Sequence, residues 1–257
     1  MARQRFRIVA ISAVLFLAAF ASANAYPSPP AIRSPTVTVS AVSSPRPTLR
    51  PVLTDRAATP APYKGLTKTI YLTFDDGPNP SWTPEILSLL EDSDARASFF
   101  VIGEEAKAWP ELVELESRDG DTIGDHTWSH PNLTALTASA VSAELDRDKS
   151  LITRLTGEEP SLWRPPYEAF NASDISIATG LGMKMQLWSV TTGDWQLPGT
   201  EVIVLRVMAA LHNGMVVLLH DGGGNRSETV AAVAVLIPEL EAAGYRIAAL
   251  PAKGIGW

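Results

Sequence analysis

Two adjacent carboxylates, Asp75 and Asp76, end the apolar run IYLTF and are followed at once by Gly77 and Pro78. Two imidazoles, His126 and His130, stand four residues apart in GDHTWSHPNL, behind another short apolar stretch. The chain has only four histidines, at 126, 130, 212 and 220, and no cysteine. A His-x-x-x-His spacing places both rings on one side of a turn or helix, where they suit one cation, and a carboxylate from elsewhere completes an open three-ligand site. Asp76 is the first candidate for that carboxylate, and without thiolates a metal must rest on nitrogen and oxygen. Taken singly, the motifs have plainer readings. Asp-Asp-Gly-Pro makes a good solvated turn or could hold a phosphate-accepting aspartate, and the histidines could be a surface pair in a loop.

These residues need elements to deliver them. Strand-like segments, enriched in apolar and β-branched residues, fall at 69–74, 97–102, 121–123, 162–164, 183–188, 215–219 and 245–250. Amphipathic segments lie between most of them. Thr83-Pro84-Glu85 predicts a helix start with Thr83 as N-cap, Thr137 predicts another, and Gly157 and Gly244 sit where helices should stop. The alternation predicts an α/β fold of about seven parallel strands in a single domain over residues 64–257, a distorted (β/α) barrel or a wrapped open sheet. Such folds gather chemistry at the carboxyl ends of their strands, which is where Asp75, Asp76 and His220 fall.

The first residues have the form of an export signal: Arg3, Arg5 and Arg7, a largely apolar run of thirteen residues over 8–20, then small residues through ASANA. The run is shorter than the roughly 20 residues of a membrane-spanning helix, so cleavage after Ala25 is expected, with an uncleaved anchor as the alternative. Residues 26–63 are rich in Pro, Ser, Thr and Ala without helical period, which predicts a disordered or polyproline-like spacer. The expected destination is the exterior or the cell wall, with no membrane association after cleavage.

Residues 1–63 hold seven arginines and one acid, leaving 14 basic against 27 acidic residues for the remainder. A domain carrying about thirteen net negative charges, His taken as neutral, argues against a nucleic-acid partner, which needs basic stripes. It disfavours a densely anionic polymer and fits a neutral one. Nothing in the pattern calls for an obligate oligomer, so a monomer is expected.

TFDDGP at 73–78, HTWSHP at 126–131, RPPY at 164–167, DW at 194–195 and LLH at 218–220 occur in the order found in the polysaccharide deacetylases, carbohydrate esterase family four. The chain resembles that family over about residues 68–250. The resemblance implies that Asp75 is the general base and that Asp76, His126 and His130 hold a divalent metal, zinc or cobalt. It implies that Arg164 holds Asp75 ionised, that His220 is the general acid oriented by Asp194, and that the Tyr167 backbone N–H binds the oxyanion. Trp195 would wall the pocket and Leu218 would line the acetyl methyl. The implied activity is N-deacetylation of a β-linked glycan, either peptidoglycan or a chitin-like polymer. An O-acetyl esterase acting on xylan could use the same machinery, and a non-catalytic sugar-binding relative could keep the fold.

Two positions depart from the family pattern. Glu168 stands where glycine follows the third motif, and it would be strained if the backbone needs a positive φ. Thr191 stands three residues before Asp194, where an aspartate is common. Other features carry less. His212 reads as a surface or helix-end residue, and Trp82, Trp109 and Trp188 as core or rim. HDGGGNRS reads as a flexible turn before the last helix, and the triplets beginning at Asn132, Asn171 and Asn225 as chance matches to glycosylation sites.

Overall fold

A computed structural model of the chain describes residues 68–255. The expected signal and spacer lie outside the described residues. The elements are β1 (Lys68–Asp75), α1 (Thr83–Asp92), β2 (Ser98–Val101), α2 (Gly103–Ala108), α3 (Pro110–Asp119), β3 (Thr122–Asp125), α4 (Ala138–Thr156), β4 (Leu162–Trp163), α5 (Ala172–Gly180), β5 (Lys184–Met185), β6 (Val190–Thr191), α6 (Thr200–Ala209), β7 (Met215–His220), α7 (Ser227–Ala242) and β8 (Tyr245–Ile247). Every strand pairing is parallel, in the order β5-β4-β3-β2-β1-β7-β6. β8 shares an edge of β1, pairing Lys68–Ile70 while β2 pairs Thr73–Asp75. Among the described strands no pairing joins β5 to β6, so the sheet is a half-closed barrel, as the alternation predicts.

The strands are buried on both faces, as a parallel sheet covered by helices requires, and five of the six residues of β7 are buried. α4 packs Val141, Leu145, Leu151 and Ile152 inward, and α7 packs Ala232, Val233, Leu236, Ile237 and Leu240, each at the three-and-four spacing of one helical face. Gly157 ends α4 at φ 79° and Thr137 caps its start, its hydroxyl accepting from Ala140 N–H at 3.3 Å. Gly244, at φ 86°, follows the end of α7.

Two expectations need correction. The run 183–188 is not one strand: β5 covers two residues, the chain turns away, and the two-residue β6 joins the sheet on the far side of β7. Thr83 is not an N-cap. Trp82 precedes the helix without a capping side chain, and the Thr83 hydroxyl instead donates to the buried Asp221 and accepts from Asn79 N–H at 2.8 Å. A distant carboxylate outcompetes the local cap. The three asparagine triplets have structural uses: Asn132 and Asn171 cap helical turns, and Asn225 accepts from Ser227 N–H.

Candidate active site

Parallel strands bring their ends to one rim, and the register sets which residues meet there. Asp75, the last residue of β1, pairs with Phe100 on β2 and with His220 on β7. Asp125 ends β3 and delivers His126 directly after it. Arg164 follows β4 and is tied by its N–H to the Asp125 carbonyl at 2.9 Å.

Arg164 is fully buried, and its Nη1 donates to Asp75 Oδ1 at 2.6 Å and to Thr73 Oγ1 at 2.9 Å. Its Nε donates to the Gln186 carbonyl, and the guanidinium lies 3.9 Å from the Phe100 ring centroid. Burial lowers the Arg164 pKa, and the adjacent Asp75 charge opposes that loss. A planar guanidinium with its donors engaged on several sides holds the carboxylate in one orientation.

Asp76 turns the other way, at φ 71°. Its Oδ1 lies 3.4 Å from His126 Nε2 and 3.2 Å from His130 Nε2, and the three ligand atoms fall within 4.8 Å of one another. Oδ1 is buried and no protein donor satisfies it. His126 Nδ1 lies 2.8 Å from the Arg164 carbonyl, an acceptor that fixes the proton on Nδ1 and leaves the Nε2 lone pair toward Asp76. His130 Nδ1 lies 3.1 Å from the Tyr167 hydroxyl, which can hold that ring in the same tautomer. An orphaned carboxylate oxygen faced by two imidazole lone pairs fits a divalent cation.

The third constellation lies across the cleft. His220 Nδ1 is 2.8 Å from Asp194 Oδ1, while Asp194 Oδ2 accepts from the His220 N–H and the Thr229 hydroxyl, both at 2.8 Å. Burial alone would lower the His220 pKa, but the hydrogen bond and charge of Asp194 raise it above its ordinary value. Burial would likewise raise Asp194, and the His220 pair brings it down. Nδ1 is occupied, so Nε2 is the nitrogen available to a ligand. Trp195 meets the imidazole edge-on at 5.2 Å between centroids.

Asp75, Asp76, His126, His130, His220 and Trp195 line one cleft of about 820 Å³, together with Leu218, Tyr167, Trp188, Thr191, Glu168 and Arg226, while Arg164 and Asp194 are buried against Asp75 and His220. All ten sequence-predicted site residues therefore meet at one place. Backbone strain collects there too: of seven non-glycine residues with positive φ among those described, Asp76, Thr127, His130, Tyr167 and Glu168 belong to the cleft or its motifs. Such conformations cost about 1 kcal/mol or more each and persist where surroundings over-determine them. Glu168 has φ 55°, so the strain expected at a non-glycine residue there is present.

Several contributors carried no legible signal. HDGGGNRS is more than a turn: a side chain at Gly222 would stand 1.9 Å from the Asp76 carbonyl oxygen, and one at Gly223 would stand 2.5 Å from Asp76 Oδ2, so this loop is the floor beneath the proposed metal ligand. Asp125 and Asp148, both fully buried, accept from Thr127 N–H at 2.8 Å and His126 N–H at 3.3 Å respectively. Burial raises both carboxyls, Asp125 to about 7. Asp221, also buried, is raised to about 7. His212 stays exposed beside Asn213, away from the cleft residues.

Residues 63–186 match the sequence model of the family described as polysaccharide deacetylase. A peptidoglycan-N-acetylglucosamine deacetylase of Bacillus cereus is 42% identical over 182 residues, covering 70% of this chain and 84% of that protein. This chain belongs to the polysaccharide deacetylase family. A chitooligosaccharide deacetylase of Rhizobium leguminosarum bv. trifolii is 35% identical over 195 residues, covering 72% of this chain and 91% of that one. Among solved structures, the family 4 carbohydrate esterase from Streptomyces lividans in complex with acetate superposes with a TM-score of 0.69 at 29% identity, covering 74% of this chain and 98% of that one. Family membership and the parallel half-barrel agree, and the strand ends place the cleft at the carboxyl rim.

Proposed function

We propose that this chain is an exported, metal-dependent deacetylase that hydrolyses N-acetyl groups on a β-linked glycan of the peptidoglycan or chitin-like class. The observation that carries the reading is that a fixed carboxylate and a carboxylate-supported imidazole, Asp75 and His220, share a cleft with the Asp76-His126-His130 cluster. The names of the two relatives support the substrate class. Residues 1–25 serve as the export signal and 26–63 as the spacer.

Asp76, His126 and His130 hold the divalent cation, zinc or cobalt, which when bound supplies Lewis-acid polarisation of water and carbonyl oxygen. Asp75 accepts a proton from the attacking water as the new C–O bond forms, and Arg164 keeps it ionised and aimed. The Tyr167 N–H donates to the oxyanion of the tetrahedral intermediate. The C–N bond then breaks, and the His220 imidazolium gives its Nε2 proton to the departing amine, while Asp194 retains Nδ1–H. Acetate and a free amino sugar leave. Leu218 and Trp195 contact the methyl and the sugar. The bond from His220 Nδ1 to Asp194 Oδ1, with Asp194 itself fixed through Oδ2 by the His220 backbone N–H and the Thr229 hydroxyl, favours amide over ester cleavage, because an amine needs protonation to leave and an alkoxide needs it far less.

Acetate release from N-acetylglucosamine oligomers and peptidoglycan, measured before chelation, after it, and after zinc or cobalt is restored, tests the reading. Release that vanishes and returns supports it. No release from these glycans under any metal, or release indifferent to chelation, overturns it.

A further inference from the structure

Glu168 holds a backbone at φ 55° that glycine would adopt freely, and it lines the cleft. It is exposed, and among the described residues its carboxylate has neither a hydrogen bond nor an ion pair. Arg226, in the cleft lining, and Arg164, buried against Asp75, are each bonded to other groups. Arg164 is held by Asp75. Arg226 is 4% exposed, and its Nε donates to the Gly222 carbonyl and its Nη1 to the Asn225 carbonyl. The rim next to Tyr167 thus presents a lone negative charge on a domain that is itself strongly acidic.

We propose that Glu168 is a cation-recognising position which favours glycans bearing a free amino sugar, as its ammonium, next to the acetamide being hydrolysed. This rests on the deacetylase reading and deepens it. Neutral sugar hydroxyls need no ionised partner, whereas an ammonium gains both charge and hydrogen bonds from a carboxylate. The reaction itself makes such amines, so a strand already deacetylated at one residue becomes the better substrate at its neighbour. Glycans whose neighbouring group is anionic are repelled by the same charge.

The test compares an N-acetylglucosamine tetramer with the same tetramer carrying one or two free amines, as acetate released per remaining acetamide by the metal-loaded chain. At low salt the amine-bearing tetramer should be favoured about twofold to fivefold in kcat/KM, the upper range of an exposed ion pair, chiefly through KM. The ratio should fall to near one at high salt, and at low salt in Glu168→Gln, which keeps the side-chain shape, and in Glu168→Gly, which relieves the backbone. A parallel calorimetric titration with the glucosamine tetramer needs no turnover and should bind the parent more tightly than Glu168→Gln by a similar factor. A parent ratio near one, a ratio that survives in both variants, or equal calorimetric affinities would overturn the proposal. Absence of acetate from every tetramer would instead count against the deacetylase reading, and the titration would still decide the role of Glu168.

Discussion

Asp75 and His220 are partners in register, the last residues of the adjacent parallel strands β1 and β7. Neighbouring strands lie about 4.8 Å apart, so the proposed base and acid are set by backbone pairing, and each is then aimed by its own buried partner. Arg164 holds one and Asp194 the other. The two partners restrain rings and carboxylates that a loop could not hold to the same precision.

The raised pKa of His220 has a pH consequence with a definite sign. A general acid works while protonated, so the rate on acetamide should fall as pH rises through the raised pKa. Asp194→Asn removes the charge that raises it most, ahead of Asp75 and Asp76, and leaves burial, which lowers it. The alkaline limb of kcat/KM should therefore move to lower pH in Asp194→Asn, with a smaller loss on an acetate ester than on an acetamide. An unmoved limb would remove His220 from the acid role.

Breaking the Arg164–Asp75 pair from one side should be costly. Arg164→Met leaves the Asp75 carboxylate, 3% exposed, without its counter-ion, and should lower unfolding stability by about 3–5 kcal/mol. Asp75→Asn in that background should recover a substantial part. Urea unfolding of the four proteins of the cycle measures the coupling, and additive losses would show that the pair is not linked.

Tyr167 was expected to act through its backbone, yet its hydroxyl lies 3.1 Å from His130 Nδ1 with the rings edge to face. Outer partners of ligand histidines commonly contribute a factor of about 10–100 in metal affinity. Tyr167→Phe should weaken zinc binding by about tenfold in a competition titration. Unchanged affinity would make the contact incidental.

Gly222 allows the loop after β7 to press against Asp76. Gly222→Ala would place a methyl 1.9 Å from the Asp76 carbonyl oxygen, with backbone rather than a flexible side chain in the way. The variant should lose zinc affinity and lower the unfolding midpoint together. A folded variant with normal affinity would show that the loop yields easily.

How much of this was readable follows from the range of the forces. Asp75 and His220 were legible because each ends a continuous apolar run, and a fully buried parallel strand is such a run. His126 and His130 were legible because ligand spacing is local. The two-residue strands β5 and β6 were not resolved as separate strands, since so short a segment has no periodicity to detect. Thr83 looked like a helix cap until Asp221, 138 residues away, claimed its hydroxyl. The Tyr167 hydroxyl, the Gly222 floor and the Asp125 and Asp148 supports of the histidine loop depend on the same kind of distant contact. The five ordered motifs supplied roles for residues whose types alone left several chemistries open.

The central claim is that Asp75 is the base of a metal-dependent deacetylation. The most direct measurement is acetate release from N-acetylglucosamine oligomers by Asp75→Asn and by the parent chain, both loaded with zinc and checked for equal metal content. The account predicts equal zinc and a loss of at least about a hundredfold in kcat/KM, the lower range for removing a general base. Equal zinc with near-parental release would contradict it.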